Sequence, residues 1–466
     1  DRSLLPLAGH GERDVSDLRD DRGLPGRTGR LVHVQPDRLV MQGLAVLGDV
    51  HVKHSAPLFD VPIEDAAAVR RGAPRTLLFV DLSGFTRLSE RLARRGHVGA
   101  EELTGVLDLV FGDLITVASS FGGSMLKYGG DALLLFFWEE GHAGRGAAAA
   151  LALQDALGRV GRVDTEAGPV RLRMSAGAHT GAFDFYLVGQ QHRELVATGP
   201  AVSQAVAMEA AAEAGQVLVS PALREALPGA TFAPGQAGGS RLRRWRIEPE
   251  AFVSAPGTEA APFIPAALLR HLGAGGHEPE HRQVAVAFVG FSGADRMRPD
   301  RLARDLDLLV TAAQDACEDN GVSFLSSDVS GDGGKLILVA GAPTAVEDAE
   351  ERVIRCARAV VAAGGTLATR AGVHRGPVFA GDVGPPFRRT YTIIGDTVNT
   401  AARVMVRAGA GEVLATPDVL ERTVTVFTAV AVAPFAAKGK AKPLEAAAVG
   451  APTPLRRTRR TEHVGL

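Results

Sequence analysis

Cysteine is nearly absent: Cys317 and Cys356 are the only two in 466 residues. That excludes a disulfide-dense scaffold, and since both lie in helix-like patterns they read as buried free thiols, which fits a reducing compartment. Charge of one sign is missing too. The net charge is −2, from 51 Lys and Arg against 53 Asp and Glu, so no global field points to nucleic acid or to an anionic membrane. No apolar run approaches the ~20 residues of a membrane span, the longest being broken by Arg, Asp or Gly. The chain opens on Asp1 without a Met or a signal-peptide pattern, which reads as a cytoplasmic protein or a fragment of one. What remains is an ordinary globular composition, 46% hydrophobic and 22% charged, long enough for two to four domains with their own cores.

Two stretches carry chemistry. Thr76 to Val80 reads as a buried strand that delivers Asp81 at its end, followed by the Ser83-Gly84 turn and the polar start of a helix at Phe85 and Thr86. Leu126 to Phe137 reads as a β-hairpin with Gly129-Gly130 at its tip and Asp131 beside the turn. If the strands are neighbours in one sheet, two carboxylates meet at one end of it, next to free backbone N–H groups at Gly84, Phe85 and Thr86. Hard oxygen ligands suit Mg²⁺, and amides at a helix start suit a phosphate. Asp beside Gly is most often only a turn former; the two stretches together outweigh that reading.

Strands alternating with helices and hairpins from Arg75 to Ile247 predict an α+β fold with a mixed sheet, and Arg241–Ile247 is expected to return as an edge strand. After a Pro-, Ala- and Gly-rich linker the pattern starts again. Gln283 to Gly293 repeats the first strand, Leu302–Asn320 the long helix and Ser323–Val339 the hairpin, while Thr369–Gly376 repeats Arg173–Gly181. Such a duplication outranks local signals in assigning a fold. The expected organisation is an N-terminal segment without assignment over 1–70, a first domain over 71–250, a linker over 251–281, a second domain over 282–450 and a basic tail over 451–466.

Phe79-Val-Asp-Leu-Ser-Gly-Phe-Thr86 and Lys127-Tyr-Gly-Gly-Asp131 resemble the two metal motifs of the class III nucleotidyl cyclases, the adenylyl and guanylyl cyclases. The tandem arrangement is similar to that of the soluble, bicarbonate-regulated branch. The resemblance implies two ferredoxin-like domains, each an α/β sandwich, pairing within one chain as a pseudo-heterodimer with the active site at their interface. It implies Asp81, Leu82 and Asp131 as ligands of two Mg²⁺ (or Mn²⁺) ions, ATP as substrate, and Gly84, Phe85 and Thr86 as phosphate contacts.

The copies differ in opposite ways. Gly290 stands where Asp81 does, and Gly334 roughly where Asp131 does. The second copy instead has Asn399 and Arg403, four apart on one helix face, which match the family's transition-state residues; the first copy has Ser203 and Ala207 there. Every catalytic part then falls in one of two clefts. Thr392 matches the family's adenine contact and Lys438 its phosphate-binding lysine. The base-binding lysine of the second hairpin is replaced by Ser326, Ser327 and Ser330, with Lys335 the nearest cation. Lys127 is expected to bound the other cleft, a possible regulatory site, or else to pair with a neighbouring carboxylate. Val206 at the family's arginine position speaks against bicarbonate there. In related tandem cyclases an ATPase-type signalling module commonly follows; no Walker motif is present in this chain. The competing readings are a non-catalytic ligand-sensing module of the same fold and, by the superficial likeness of Gly129-Gly-Asp131, a diguanylate cyclase.

Overall fold

The computed structural model describes residues 74–453, apart from 85–87, 90, 93–95, 166–167, 251–260, 274–278, 385–389, 438–439 and 441. The 1–70 segment, Phe85, Thr86, Lys438 and the tail from 454 onward therefore lie outside the described residues.

The first half runs β1 (Arg75–Ser83), α1 (Gly96–Ser120), β2 (Ser124–Tyr128), β3 (Ala132–Phe137), α2 (His142–Val160), β4 (Arg162–Thr165), β5 (Gly168–Arg171) and β6 (Arg173–Gly181). It continues with β7 (Asp184–Val188), β8 (Glu194–Thr198), α3 (Pro200–Ala211), β9 (Val217–Val219), α4 (Pro221–Glu225), β10 (Thr231–Pro234) and β11 (Ser240–Arg244). After α5 (Ala266–Gly273) the order recurs as β12 (Glu280–Ser292), α6 (Pro299–Asn320), β13 (Ser323–Ser330), β14 (Gly333–Ala340), α7 (Ala349–Ala362) and β15 (Ala368–Val383). It closes with β16 (Thr390–Ile394), α8 (Asp396–Arg407), β17 (Val413–Ala415), α9 (Pro417–Leu420), β18 (Phe427–Ala431) and β19 (Ala447–Pro452).

The duplication is as plain in topology as in sequence. One sheet runs β10-β11-β9-β6-β1-β3-β2; the other, read from its far end, runs β18-β19-β17-β15-β12-β14-β13, with β16 added alongside β15. In both, one parallel pair (β6 with β9, β15 with β17) sits among antiparallel neighbours. The fold is the expected α+β one. One local expectation differs. Thr231–Pro234 pairs outside Ser240–Arg244, so β10 is the edge and β11 is interior. The segment leading into β6 is split, because Gly168–Arg171 folds back on Arg162–Thr165 as a separate hairpin.

Strand alternation decides which side chains meet the other half. In β1, Leu78, Val80 and Leu82 face the helix-covered core, whereas Leu77 and Phe79 enter an apolar layer shared by both sheets; Asp81 continues that second series. In β12, Ala285, Ala287 and Val289 face the helices, and Val284, Val286 and Phe288 enter the same shared layer. Each half also lends the other a hairpin. Tyr186, Val188 and Val196 of β7–β8 pack into the second core, while Phe379, Val383 and Ile394 of β15–β16 pack into the first. Backbone N–H groups fix these arms: Gly189 donates to Asp307 (2.9 Å) and Gly384 to Asp108 (3.0 Å). The two halves thus pair within the chain.

Helices α3 and α8 lie on the interface side of their sheets, seated on a glycine. A Cβ at Gly177 would come within 2.0 Å of the Glu209 backbone N, and one at Gly372 within 2.0 Å of the Met405 backbone N. Backbone cannot yield as a side-chain tip can. Gly372→Ala is expected to lower stability by about 3 kcal/mol, the upper end of overpacking effects, seen as a lower denaturant midpoint.

Among the described residues one helix, over Val98–Ser120, is long and apolar enough to cross a membrane by length and composition, which the reading of the sequence did not anticipate. Its Leu103, Leu107, Val110, Phe111 and Leu114 are buried in the first core, the usual use of an apolar helix stripe. Cys317 and Cys356 are both buried and free, their sulfurs 3.7 Å apart between α6 and α7.

Candidate active site

Asp81 sits at the end of β1, opposite Ala132 in the antiparallel register, and the Leu82 N–H donates to the Asp131 carbonyl at 2.8 Å. Adjacent strands therefore bring the two carboxylates to one sheet end. Burial, and then the charge of Asp81, push the Asp131 carboxyl up to about 7. The same register in the second half places Gly290 opposite Lys335 and Phe291 opposite Gly334, so Gly290 and Gly334 occupy the places of Asp81 and Asp131. A Cβ at Gly290 would stand 2.8 Å from Met405 Sδ; α8 fills the space a carboxylate would need.

Across the shared layer, α8 opens after Gly395 and carries Asn399 on its first turn, with Arg403 one turn on. Asp81, Asp131, Lys335, Thr392 and Asn399 line one cavity of about 150 Å³, with Phe288, Leu325, Ile337, Ile393 and Val398 as its apolar walls. The cavity thus draws its carboxylates from the first half and its amide from the second. Arg403 is beyond that lining and approaches Asp396, Nη1 to Oδ1 at 4.0 Å. Lys440 Nζ donates to the other oxygen of Asp396, so two cations gather at the start of α8. Lys440 escaped the reading of the sequence, which named Lys438 two residues earlier, a residue outside those described. Asp328 was missed as well. It faces Lys335 across β13–β14, pairs with it at 2.8 Å and lines the same cavity. Gly84 follows β1 in a left-handed conformation (φ 109°) outside that lining.

Lys127 is elsewhere. Its Nζ donates to Glu194 Oε1 (2.5 Å) and to Ser327 Oγ (3.0 Å), with both charged side chains almost wholly buried. The first half's counterpart of the Asn399 helix is engaged too: Ser203 Oγ donates to Asp295 (3.0 Å) and accepts from the Asp332 N–H (2.8 Å).

Residues 69–246 and 344–446, together more than half of the chain, match the family described as the adenylate and guanylate cyclase catalytic domain. The chain belongs to the class III cyclase family. Among curated relatives, the chain is 28% identical over 151 residues to adenylate cyclase type 10 of Oryctolagus cuniculus, covering 31% of this chain and 9% of that protein. It is 33% identical over 134 residues to an uncharacterized protein of Mycobacterium tuberculosis, covering 27% and 23%. The chain thus spans less than a quarter of the length of either. A solved class III adenylyl cyclase-like ATP-binding protein from Pseudomonas aeruginosa shares the fold with a TM-score of 0.55 at 12% identity, covering 75% of this chain and 85% of that one.

Members of this family generally work with divalent cations, and the chain offers a donor set of the right kind. Two carboxylates at one sheet end, one of them raised to about 7 by burial first and then by its partner's charge, are what Mg²⁺ uses when substrate phosphates and water complete its shell. Among the described residues no group of three or more His, Cys, Asp and Glu is gathered that could hold a metal ion. Because a ligand carboxylate must be ionised, the apparent Mn²⁺ affinity is expected to rise with pH up to about 7 and then level, with Asp131 the group released. For stability the sign is the reverse of an ordinary paired carboxylate. The contribution of Asp131 is fully present below its unfolded value of 3.8 and is lost as pH rises through about 7. Calorimetric Mn²⁺ titrations between pH 5.5 and 8.5 test this; an affinity flat across that range would remove Asp131 from the donor set.

Proposed function

We propose that the protein converts ATP to cyclic AMP and pyrophosphate at the cavity between its two halves, with residues 71–250 as the metal-binding domain and 282–450 as the base- and transition-state domain. The observation that carries this reading is the complementary split. The carboxylates Asp81 and Asp131 come from one half and Asn399 from the other, and they line a single cavity; each half lacks what the other supplies.

Asp81, Leu82 and Asp131 would hold two Mg²⁺ or Mn²⁺ ions, which supply Lewis-acid activation of the ribose 3′-hydroxyl and neutralise phosphate charge. The chain's own groups do the rest. Asn399 orients the ribose from the first turn of α8. Arg403 stabilises the charge that grows on the α-phosphate as pyrophosphate leaves, its guanidinium suited to a phosphoryl group. Asp396 holds Arg403 and Lys440 at that end of the helix. The backbone N–H of Gly84, followed by Phe85 and Thr86, suits the triphosphate, and Lys438 and Lys440 are two of the three lysines of the last segment, beside Lys442. Thr392 and Lys335 belong to the base side of the cavity. At about 150 Å³ the cavity is below the ~300–1,000 Å³ of small-molecule sites, so nucleotide entry requires the halves to separate or the loops to move. A cytoplasmic location fits ATP as substrate, and an ATPase-type signalling module attached to this chain would be its output or control.

Purified protein with Mg²⁺ or Mn²⁺ and with ATP and GTP supplied separately, beside an Asp81→Ala control, tests the reading by product analysis. Cyclic AMP that vanishes in the control is the expected result. No cyclic product from folded protein under any combination would overturn it in favour of a ligand-sensing module.

A further inference from the structure

The β4–β5 hairpin is a part of the first half for which the proposed function has no use. It has no counterpart among the described residues of the second half, where α7 leads through Gly364 and Gly365 directly into β15. Between this hairpin and the end of α2 lies a cavity of about 810 Å³, within the size range of small-molecule sites. Arg162, Arg171 and Arg173 line it, and no carboxylate does. None of the three guanidiniums forms an ion pair or hydrogen bond with another described residue. Gln154 lines the cavity as well, and its side-chain nitrogen is buried with no hydrogen-bond partner among the described residues. The site is separate from the one between the halves. Its Leu172 and Met174 belong to the first core, and Met174 stands opposite Leu82, on the face of the sheet turned away from Asp81. It backs onto the turn after Asp81, where a Cβ at Gly84 would be 3.2 Å from the Arg171 carbonyl oxygen.

We propose that this cavity binds a small molecule carrying two phosphate groups. The guanidiniums of Arg162, Arg171 and Arg173 donate to the phosphate oxygens, and the Gln154 amide donates to the same ligand. Three cations around one hollow with no counter-charge make a positive potential that an anion relieves. The carbonyl end of α2 opposes an anion there, but one helix end carries only about half a charge against three. Guanidinium is the side chain whose planar fork matches phosphate, two parallel N–H groups to two oxygens. The inference stands apart from the cyclase reading, because neither Asp81, Asp131 nor Asn399 lines this cavity.

The test is calorimetric titration of the whole chain with inorganic pyrophosphate and, separately, with fructose 1,6-bisphosphate. EDTA is present throughout, which removes metal-dependent binding between the halves. The two probes separate a bare diphosphate anion from a bisphosphate ester with an organic body. At least one is expected to bind more tightly than about 1 mM, and more weakly as salt rises. Arg171→Ala combined with Arg173→Ala is expected to weaken that binding at least about tenfold, since hydrogen bonds to charged groups are the strong ones. Arg403→Ala, in the other cavity's neighbourhood, is expected to leave it unchanged. No binding of either probe overturns the inference, as does binding that survives the double variant. Binding lost with Arg403→Ala instead places the anion between the halves and overturns it too. Should the double variant not fold, Arg162→Glu is read in the same way.

Discussion

Arg403→Ala is expected to lower kcat by about 10²–10³-fold, the ~2.7–4 kcal/mol lost when one preorganised donor to a developing anion is removed, with KM for ATP much less affected. The split follows from the role: an interaction that strengthens only as the α-phosphate gains charge appears in kcat, while uniform binding would appear in KM. Arg403 sits one turn beyond Asn399 on α8, and Asp396 is its neighbouring carboxylate. Arg403→Lys is a sharper variant, since it keeps the charge and loses the planar fork; it should recover only part of the rate. Cyclic product measured over a range of ATP concentrations decides the matter. A rate within about tenfold of wild type, under ~1.4 kcal/mol, would remove Arg403 from the transition state.

The second large effect is on stability, at Glu194. Its carboxylate lies between Lys127, His192 and Ser327, and both it and Lys127 are almost wholly out of water. Burial alone would raise its pKa; the charge of Lys127, with His192 nearby at 3.6 Å, outweighs this and holds it well below the usual carboxylate range. Glu194→Gln would leave the Lys127 ammonium buried against a neutral amide, and breaking one side of a buried pair costs ~3–5 kcal/mol. The network ties β2 and β8 of the first half to β13 of the second, so the loss should also loosen their pairing. Because the folded-state pKa is depressed, the stabilisation is present above the ordinary value of 4.5 and is lost as pH falls below it. Denaturant unfolding of wild type and variant should therefore differ most near neutral pH and converge in acid. Lys127→Met with Glu194→Leu, which removes both charges, should recover much of the loss; a single variant as stable as wild type would mean that water reaches the pair.

The sequence by itself determined the architecture. A continuous apolar run ending in Asp81, the Gly129-Gly130 tip beside Asp131, and their recurrence about 200 residues on as Gly290 and Gly334 specify two copies of one α+β unit, because apolar runs and turn chemistry are local properties that repeat when the residues do. The position of Asp81 at a strand end was legible for the same reason, as was the Asn399 and Arg403 pair on α8. What only the tertiary structure decided were the partners of charged side chains. Lys127 has the same local surroundings whether it lines a cleft or meets Glu194, 67 residues away, and Ser327, 200 residues away. Asp328 looks like one more polar residue on a hairpin until the pairing of β13 with β14 sets it against Lys335 and the interface sets it against Gly129. An ion pair is chosen by distance and desolvation, and neither exists until the two sheets have closed on each other.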